Sequence, residues 1–424
     1  MALIQLPYLD GSLSFDLPDP YVGEIVTPRA VTPSSDPEAL IHAAMAQPIG
    51  TPPLHRILKP GQTVSLIIDD VSRETPAWLL LFPVLGELKR AGIDNKDISI
   101  VIALGTHRPM TESEIIQKVG SRIAKAFKII NTPCWDDSQM VYMGESSNGI
   151  PAWINRYVAE ADVRIGLGMI APHMDTGFSG GAKIILPGTC GCQTVDAFHV
   201  RQAVISGNQL GVVDAPMRLD LETFVGERVG LHFILNAVLD RKGSLYRCVA
   251  GDFVQAHRAG VQFARAVYEV PVARRYPLVI SNAFPAQIDF WQSTKALASA
   301  ELMTADQGTL VLVTPCPEGT KTHPRFVDYL GKDPDQLLDE LQSGRVEDPV
   351  AAAVAVPLCR TKKRIRMGVV SSGLNPSDGT RMGFTYYESI EAALKAELES
   401  RGNIPSVGVL THGGVCMPLV RSAA

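Results

Sequence analysis

The sequence predicts an α/β fold made of two α/β domains. Short apolar runs alternate with amphipathic helical patterns along nearly the whole chain, which is typical of parallel sheets covered by helices. The alternation is interrupted once, at the run PVARRYP over 271–277, and a new strand, LVISNA, follows it. We therefore predict a first domain over 1–271 plus 406–424 and a second over 277–405, with the C-terminal tail returning to the first domain.

Composition excludes several classes of protein. The chain has 424 residues, a formal net charge of -5, and 46% hydrophobic and 20% charged residues, as expected for a compact soluble protein. It has no long basic run, so a nucleic-acid partner is not expected. It also has no apolar run of membrane-spanning length and no signal peptide pattern. These features predict a cytoplasmic protein with no membrane partner.

The seven cysteines are an odd number and are scattered, except for Cys190 and Cys192. This usage predicts free thiols in a reducing compartment. Cys190 and Cys192 are expected to be small buried residues, with a metal or redox role as the alternative.

In the N-terminal part, SLSFDLP predicts an edge strand and DPEALIHAAMAQ a short helix. Three further strands, TVSLIID from Thr63, DISIVIALG from Asp97 and VRIGLG from Val163, each precede a polar segment. Thr75 is a candidate N-cap, with Pro76 at the first helical position. Thr111 and Glu114 form a capping box that opens the next helix.

The remaining elements follow the same alternation. Residues 192–206 predict a helix in which Asp196 and His199 share a face. Residues 231–249 predict a hairpin, and 252–268 an amphipathic helix. In the second domain, Asp289, Gln292 and Lys295 would line one helical face if the helix has begun there.

Three polar segments follow three strands: 69–76, 105–108 and the residues around His173. In open α/β sheets the carboxyl ends of parallel strands form one edge, and ligands bind there. We therefore expect these segments to converge on one site.

The glycine-rich stretch from Gly168 to Gly191 carries most of the chemistry. Gly180 and Gly181 allow a backbone that approaches a ligand closely, and Lys183 suits a phosphate contact or an amine nucleophile. A tight connection with a solvated lysine explains each residue taken alone, but not the set. Because Ile184 follows Lys183, the stretch does not match an ordinary nucleotide-phosphate loop.

The expected site thus combines His107, His173 and His199 with Lys183 and Arg73. Two neutral imidazoles suit proton transfer on two faces of one centre, and a third on a helix suits a metal. A zinc site with three protein ligands is an alternative, although the compact H-x-x-x-H spacing is missing.

The chain as a whole resembles the nickel-dependent lactate racemase family. The resemblance spans essentially the full length and is carried by DDVSRETP from Asp69, GTHRPMT from Gly105, APHMDTGFSGGAKIILPG from Ala171, the helix with His199, and WQSTKAL from Trp291. It implies a racemase or epimerase that inverts C2 of a 2-hydroxy acid, with two domains closing over a cleft.

The resemblance also implies roles for individual residues. Lys183 would carry a nickel-pincer nucleotide (pyridinium-3,5-bisthiocarboxylic acid mononucleotide), and His199 would ligate its nickel. His107 and His173 would be the paired acid/base groups while hydride leaves and returns to C2. The substrate would be bound by four residues: Arg73, Asp70, Gln292 and Lys295. The cofactor would be contacted by Thr106, Gly180 and Gly181. Separate cofactor-synthesis enzymes would be maturation partners.

Two departures from the family pattern are more polar than usual. Ser72-Arg73-Glu74 replaces the usual Thr-Arg-Pro, and Asp175-Thr176 replaces an apolar or aromatic pair. These changes suggest a larger, hydroxylated acid such as an aldonate rather than lactate. The alternatives are a paralogue that binds cofactor or sugar acid without turnover, and a zinc- or NAD-dependent hydroxy-acid enzyme, although G-x-G-x-x-G is missing after the first strand.

Overall fold

A computed structural model describes residues 1–205, 207–401 and 406–421, without the side chain of Arg401. It confirms the predicted α/β class, with two six-stranded sheets. The first sheet has the strand order Leu245–Gly251, Phe233–Leu239, Val163–Met169, Val64–Asp69, Ile98–Ala103, Lys128–Ile130. All neighbours are parallel except the outermost hairpin pair, which is the hairpin that the sequence predicts.

The second sheet is parallel throughout. Its order is Thr385–Tyr387, Arg366–Ser371, Thr304–Thr314, Tyr276–Asn282, Val407–Leu410, Val22–Val26. Smaller two-stranded pairs are Ala2–Tyr8 with Gly11–Leu17, Met140–Glu145 with Pro151–Asn155, Pro172–His173 with Gly177–Phe178, and Glu269–Val272 with Met417–Val420.

The division into two domains, 1–271 plus 406–424 and 277–405, stays a prediction. Two strands that it assigns to the first domain belong to the second sheet. Val22–Val26 and Val407–Leu410 both pair within the second sheet. The last strand, Met417–Val420, does return to pair with Glu269–Val272. Residues 206, 402–405 and 422–424, which the predicted helix and domain bounds include, lie outside the described residues.

Helices cover both sheets. Those that accompany the first sheet are Pro37–Ala46, Leu54–Ile57, Ala77–Arg90, Glu112–Val119, Ser121–Ala126, Arg156–Ala159, Cys192–Ile205, Pro216–Phe224 and Gln255–Tyr268. Those that accompany the second are Phe290–Ser293, Lys295–Glu301, Phe326–Leu330, Pro334–Gln342, Pro349–Lys362, Pro376–Met382 and Ile390–Arg401. No helix in the described part of the chain is both long and apolar enough to cross a membrane.

Two local predictions about helix starts are wrong. Thr75 does not cap a helix: Pro76 precedes the helix Ala77–Arg90, and the Thr75 hydroxyl instead donates to Asp69 Oδ2 at 2.5 Å. Asp289, Gln292 and Lys295 do not share one helix face. The Asp289 carboxylate caps the short helix Phe290–Ser293 by accepting the Gln292 N–H at 2.7 Å, and Lys295 begins the next helix. By contrast, the Thr111–Glu114 capping box is confirmed.

The cysteines also depart from the prediction that all thiols are free. Cys134 and Cys192 form a disulfide with their Cα atoms 4.9 Å apart, because the Cys192 N–H donates to the Cys134 carbonyl and brings the two segments together. Cys190 is buried and free, and burial raises the pKa of its thiol. The expectation of a small buried residue therefore holds for Cys190 only.

Candidate active site

A cavity opens at the carboxyl ends of three adjacent parallel strands of the first sheet, Val64–Asp69, Ile98–Ala103 and Val163–Met169. It contains about 1040 Å³ of non-atom space, including its open mouth. Its other side is lined by residues from helices that accompany the second sheet, Trp291, Gln292, Lys295 and Val354. The three polar segments thus meet at one edge, as the alternation of strands and polar segments predicts.

The structure brings almost all of the sequence-predicted site residues to this cavity. Those that line it are Asp70, Arg73, Thr106, His107, His173, Gly180, Lys183, His199, Gln292 and Lys295. Gly181 does not line it. Its N–H donates to the Asn236 side chain at 3.0 Å, so Gly181 shapes the turn rather than the cavity wall.

His107 forms a hydrogen-bonded pair with Asp70. His107 Nδ1 lies 2.6 Å from Asp70 Oδ2, and His107 Nε2 lies 2.8 Å from the Gln292 amide nitrogen. Burial alone would raise the pKa of Asp70, but His107 and Arg73 outweigh it and hold that pKa well below its usual range. Because the ionised carboxylate only accepts hydrogen bonds, His107 donates to it from Nδ1, and His107 Nε2 lies where it can accept from the Gln292 amide.

His173 has the opposite arrangement. Its Nδ1 accepts the backbone N–H of Asp175 at 3.2 Å, and the Asp175 carboxylate lies 3.8 Å from the same nitrogen. Burial, together with the positive charges of Lys183 and Lys295, lowers the pKa of His173 well below its ordinary value. The ring is therefore neutral near pH 7 and carries its proton on Nε2.

A cationic wall lies beside the two histidines. Arg73 donates to Ser72 Oγ at 2.9 Å and to Gln292 Oε1 at 3.4 Å, and Lys295 donates to the same Gln292 oxygen. Burial and the charges of Arg73 and Lys183 lower the pKa of Lys295 well below its ordinary value. Arg73 and Lys295 thus present adjacent cationic groups to the cavity, an arrangement that is suited to bind a carboxylate.

Lys183 and His199 complete the cavity from the glycine-rich stretch and the helix Cys192–Ile205. Burial and the nearby charge of Arg73 lower the pKa of Lys183 to about 7, and its amine makes no hydrogen bond within the described residues. His199 Nδ1 lies 2.8 Å from the Val195 carbonyl, so it donates there and leaves Nε2 available as a ligand. An amine with a lowered pKa and an oriented imidazole thus share the cavity.

Thr106 and Asp196 lie next to groups that the sequence does not indicate. The Thr106 hydroxyl lies 2.9 Å from His323 Nε2, and His323 Nδ1 lies 2.7 Å from the Asp348 carboxylate. Burial and the charge of Asp348 raise the pKa of Asp196 to about 6.

Across the described ranges, no three histidine, cysteine or acidic side chains gather in a group able to hold a metal ion, which argues against the three-ligand zinc alternative.

Two further residues that shape the site, Lys118 and Arg218, were missed by sequence reasoning. Lys118 donates to the Asp70 and Arg73 carbonyls at 2.9 and 2.8 Å. Arg218 is fully buried and donates to the Thr176, Phe178 and Gly180 carbonyls, which fixes the glycine-rich turn. Lys118 and Arg218 occupy ordinary amphipathic helices, and no sequence signal distinguishes them from solvated residues.

We expect the Lys118→Met variant to lower the free energy of unfolding by about 3 kcal/mol, because it leaves two carbonyls without their buried cationic donor. Urea denaturation followed by circular dichroism measures the change. Lys125→Met, at an exposed lysine of the neighbouring helix, is the matched control and should change stability by less than about 0.5 kcal/mol. Equal effects of the two substitutions would contradict a bracing role for Lys118.

Comparisons with known proteins show which sequences this chain is similar to. Residues 8–211 match the model of the lactate racemase N-terminal domain. The chain is 26% identical to the lactate racemase of Lactiplantibacillus plantarum, over 97% of this chain and 99% of that protein. It is also 26% identical to the lactate racemase of Thermoanaerobacterium thermosaccharolyticum, over 97% of this chain and 98% of that protein.

Solved structures give the same result. The lactate racemase apoprotein from Thermoanaerobacterium thermosaccharolyticum superposes with a TM-score of 0.87 at 27% identity, covering 99% of this chain and 100% of that one. A protein from Thermotoga maritima shares the fold, with a TM-score of 0.71 at 18% identity, covering 92% of this chain and 100% of that one. Residues 8–211 thus match the N-terminal domain of lactate racemases, and the chain as a whole is similar to lactate racemases in sequence and in fold.

Proposed function

We propose that this protein is a racemase or epimerase that interconverts the two C2 configurations of a 2-hydroxy acid. The observation that carries the proposal is the pair of histidines, His107 and His173, which line one cavity beside a cationic wall and whose Nδ1 atoms have opposite hydrogen-bonding partners, a carboxylate and a backbone N–H. A reaction that treats both configurations alike needs an acid/base group for each position of the substrate oxygen. The lactate racemase relatives support the same assignment.

We further propose that the cofactor is the nickel-pincer nucleotide of this family. The residues fit it. Lys183 supplies a buried amine with a pKa near 7, a suitable nucleophile for covalent attachment, and His199 supplies an imidazole nitrogen held toward the cavity by the Val195 carbonyl. Imidazole is an accepted nickel ligand. When bound, this group supplies reversible hydride acceptance from C2. Thr106 and Gly180 line the same cavity and would lie near its phosphate.

The protein's own residues would bind the substrate and move its hydroxyl proton. Arg73, Gln292 and Lys295 would bind the carboxylate, and this contact fixes C2 between the two histidines. For one configuration His107 Nε2 takes the hydroxyl proton, and Asp70 stabilises the imidazolium that results. The carbonyl of the planar 2-keto acid would then rotate toward His173, whose doubly protonated form returns a proton to the oxygen as the other configuration forms; exchange with solvent resets His107 by removing its extra proton and recharges His173 with one.

Asp175 would let His173 work in both directions. Its backbone N–H bonds the unprotonated Nδ1, while its carboxylate, 3.8 Å away, can accept a hydrogen bond when Nδ1 is protonated. His173 can therefore hold its second proton on Nδ1 while Nε2 exchanges a proton with the substrate oxygen. Asp175 contributes to this exchange by positioning His173 and does not touch the reacting atoms.

Intact-protein mass spectrometry combined with metal analysis tests the proposed function. The protein is produced together with cofactor-synthesis enzymes and then assayed on a panel of 2-hydroxy acids that extends from lactate to an aldonate. We expect a mass increase that maps to Lys183, about one nickel per chain, and loss of optical activity in at least one acid. An unmodified Lys183 despite active maturation enzymes would contradict the proposal and favour a binding paralogue without turnover.

A further inference from the structure

A second, smaller pocket joins the central cavity at its substrate end. This side pocket contains about 420 Å³ of non-atom space, including its open mouth. It shares Arg73, His173 and Lys295 with the cavity, the same residues that would hold the substrate carboxylate and its oxygen. A substituent on C2 of a bound 2-hydroxy acid can therefore enter the side pocket directly.

Most walls of the side pocket are small or apolar. Ala171 and Pro172 come from the end of the first sheet, and Ala286 and Val415 come from loops beside the second sheet. These residues leave space next to the substrate but offer no hydrogen bonds from their side chains. Specificity for a polar substituent must therefore come from the few polar groups that the pocket also contains.

Two polar side chains, Ser72 and Glu74, belong to the side pocket and not to the central cavity. The Ser72 hydroxyl is already engaged, because it donates to Asp70 Oδ1 at 2.6 Å and accepts from Arg73 at 2.9 Å. In the described part of the chain, no hydrogen bond or ion pair engages the Glu74 carboxylate, and its side chain is open to solvent. Glu74 is therefore the polar group left to recognise a ligand.

The local charge decides which chemistry fits Glu74. The Glu74 side chain is reached by solvent but crowded by protein, and this partial desolvation and the charge of Asp240 raise the pKa of Glu74 against the opposing charge of Lys118. Arg73 and Lys295 line the side pocket where it meets the central cavity, so a second substrate carboxylate would be repelled only where it lies against Glu74 itself. An apolar tail would cover a carboxylate and leave it without hydrogen bonds. Neutral hydroxyl groups satisfy both constraints, because one carboxylate accepts hydrogen bonds from two of them.

We propose that the side pocket is a subsite for the neutral, hydroxylated tail of the substrate, and that Glu74 is its specificity-determining residue. The inference rests on the proposed function and narrows it: monocarboxylic polyhydroxy acids are preferred over dicarboxylic and over alkyl 2-hydroxy acids. The hydrogen bonds form along the tail, away from C2, so Glu74 selects the substrate without taking part in proton transfer.

The test compares wild-type and Glu74→Ala holoenzyme on gluconate, malate and lactate. For the wild type we expect a higher kcat/KM on gluconate than on malate. In Glu74→Ala the ratio of kcat/KM for gluconate to that for lactate should fall about 10- to 100-fold, since a charged hydrogen-bond acceptor is lost. Glu74→Gln should retain part of the ratio because its amide oxygen still accepts. The matched control is Glu388→Ala, at an exposed glutamate outside the site.

An unchanged ratio in Glu74→Ala, or a wild type that prefers malate, would overturn the proposal. Calorimetric titration of gluconate into the wild type and Glu74→Ala is the second readout and does not require turnover. Weaker binding to the variant supports the subsite even if no acid is racemised, in which case only the proposed function fails. Absence of gluconate binding to a wild type that still racemises lactate would overturn the subsite alone.

Discussion

We expect the Lys183→Met variant to carry no attached cofactor and to lose racemisation by about four orders of magnitude or more, because the amine is the proposed attachment point. Methionine has a similar length and fits an apolar setting, so the cavity walls are retained. Intact mass and nickel content measure attachment, and polarimetry measures racemisation. Lys125→Met, at an exposed lysine, is the matched control and should retain both. Normal nickel content with full activity in Lys183→Met would contradict the assignment.

The same variant also has a distinctive stability profile. The pKa of Lys183 falls from 10.5 to about 7 in the folded protein, so between these two values the unfolded chain binds more protons than the folded one. Wild-type stability should therefore rise with pH between about 7 and 10.5 relative to Lys183→Met, which lacks the titrating amine. Denaturation of the cofactor-free proteins across this range measures the difference. Parallel stability curves would show that the amine is not desolvated.

The site could be located from the sequence because its residues follow strands. A strand is a short apolar run, and the polar residues after it must lie at the carboxyl end. His107 and Asp70 follow neighbouring parallel strands of the first sheet, and their side chains lie 2.6 Å apart. The hydrophobic pattern thus carried the information about proximity, even though their positions in the chain are 37 residues apart.

Contacts set by packing could not be predicted in the same way. Lys118 and Arg218 donate to backbone carbonyls, which every residue possesses, and their ion pairs with Asp69 and Glu222 depend on the folded packing, so no sequence pattern marks them as site residues. The Cys134–Cys192 disulfide joins residues 58 positions apart, and its pairing depends on how a loop packs on a helix end. Val22–Val26 shows the same limit, because a strand's pattern does not state which sheet it joins.

The proposed catalytic roles of the two histidines depend on which ring nitrogen carries the proton. The sequence cannot predict this either. His107 and His173 are identical residues, yet Asp70 places the proton of one on Nδ1, while the Asp175 N–H places the proton of the other on Nε2. This difference arises only from their partners. It gives the two histidines separate functions that single substitutions can distinguish.

We expect His107→Ala and His173→Ala to lower racemisation by about 10³-fold each, since each removes one acid/base group. Their half-reactions should differ in selectivity. If each histidine serves one position of the substrate oxygen, His107→Ala should form the 2-keto acid from only one configuration, and His173→Ala from only the other. Single-turnover experiments with each pure enantiomer, quenched with a hydrazine that traps the keto acid, measure this selectivity in loaded enzyme.

Equal keto acid yields from both enantiomers in both variants would refute the division of labour between the two histidines. The double variant His107→Ala/His173→Ala should form keto acid slowly from either enantiomer, and its nickel content and mass at Lys183 show whether the cofactor is still attached. Asp70→Asn provides a finer distinction: the amide no longer stabilises a charged His107, so this variant should follow the selectivity of His107→Ala with a smaller loss of rate. Matching selectivity in these two variants would identify His107 and Asp70 as one functional unit, independent of His173.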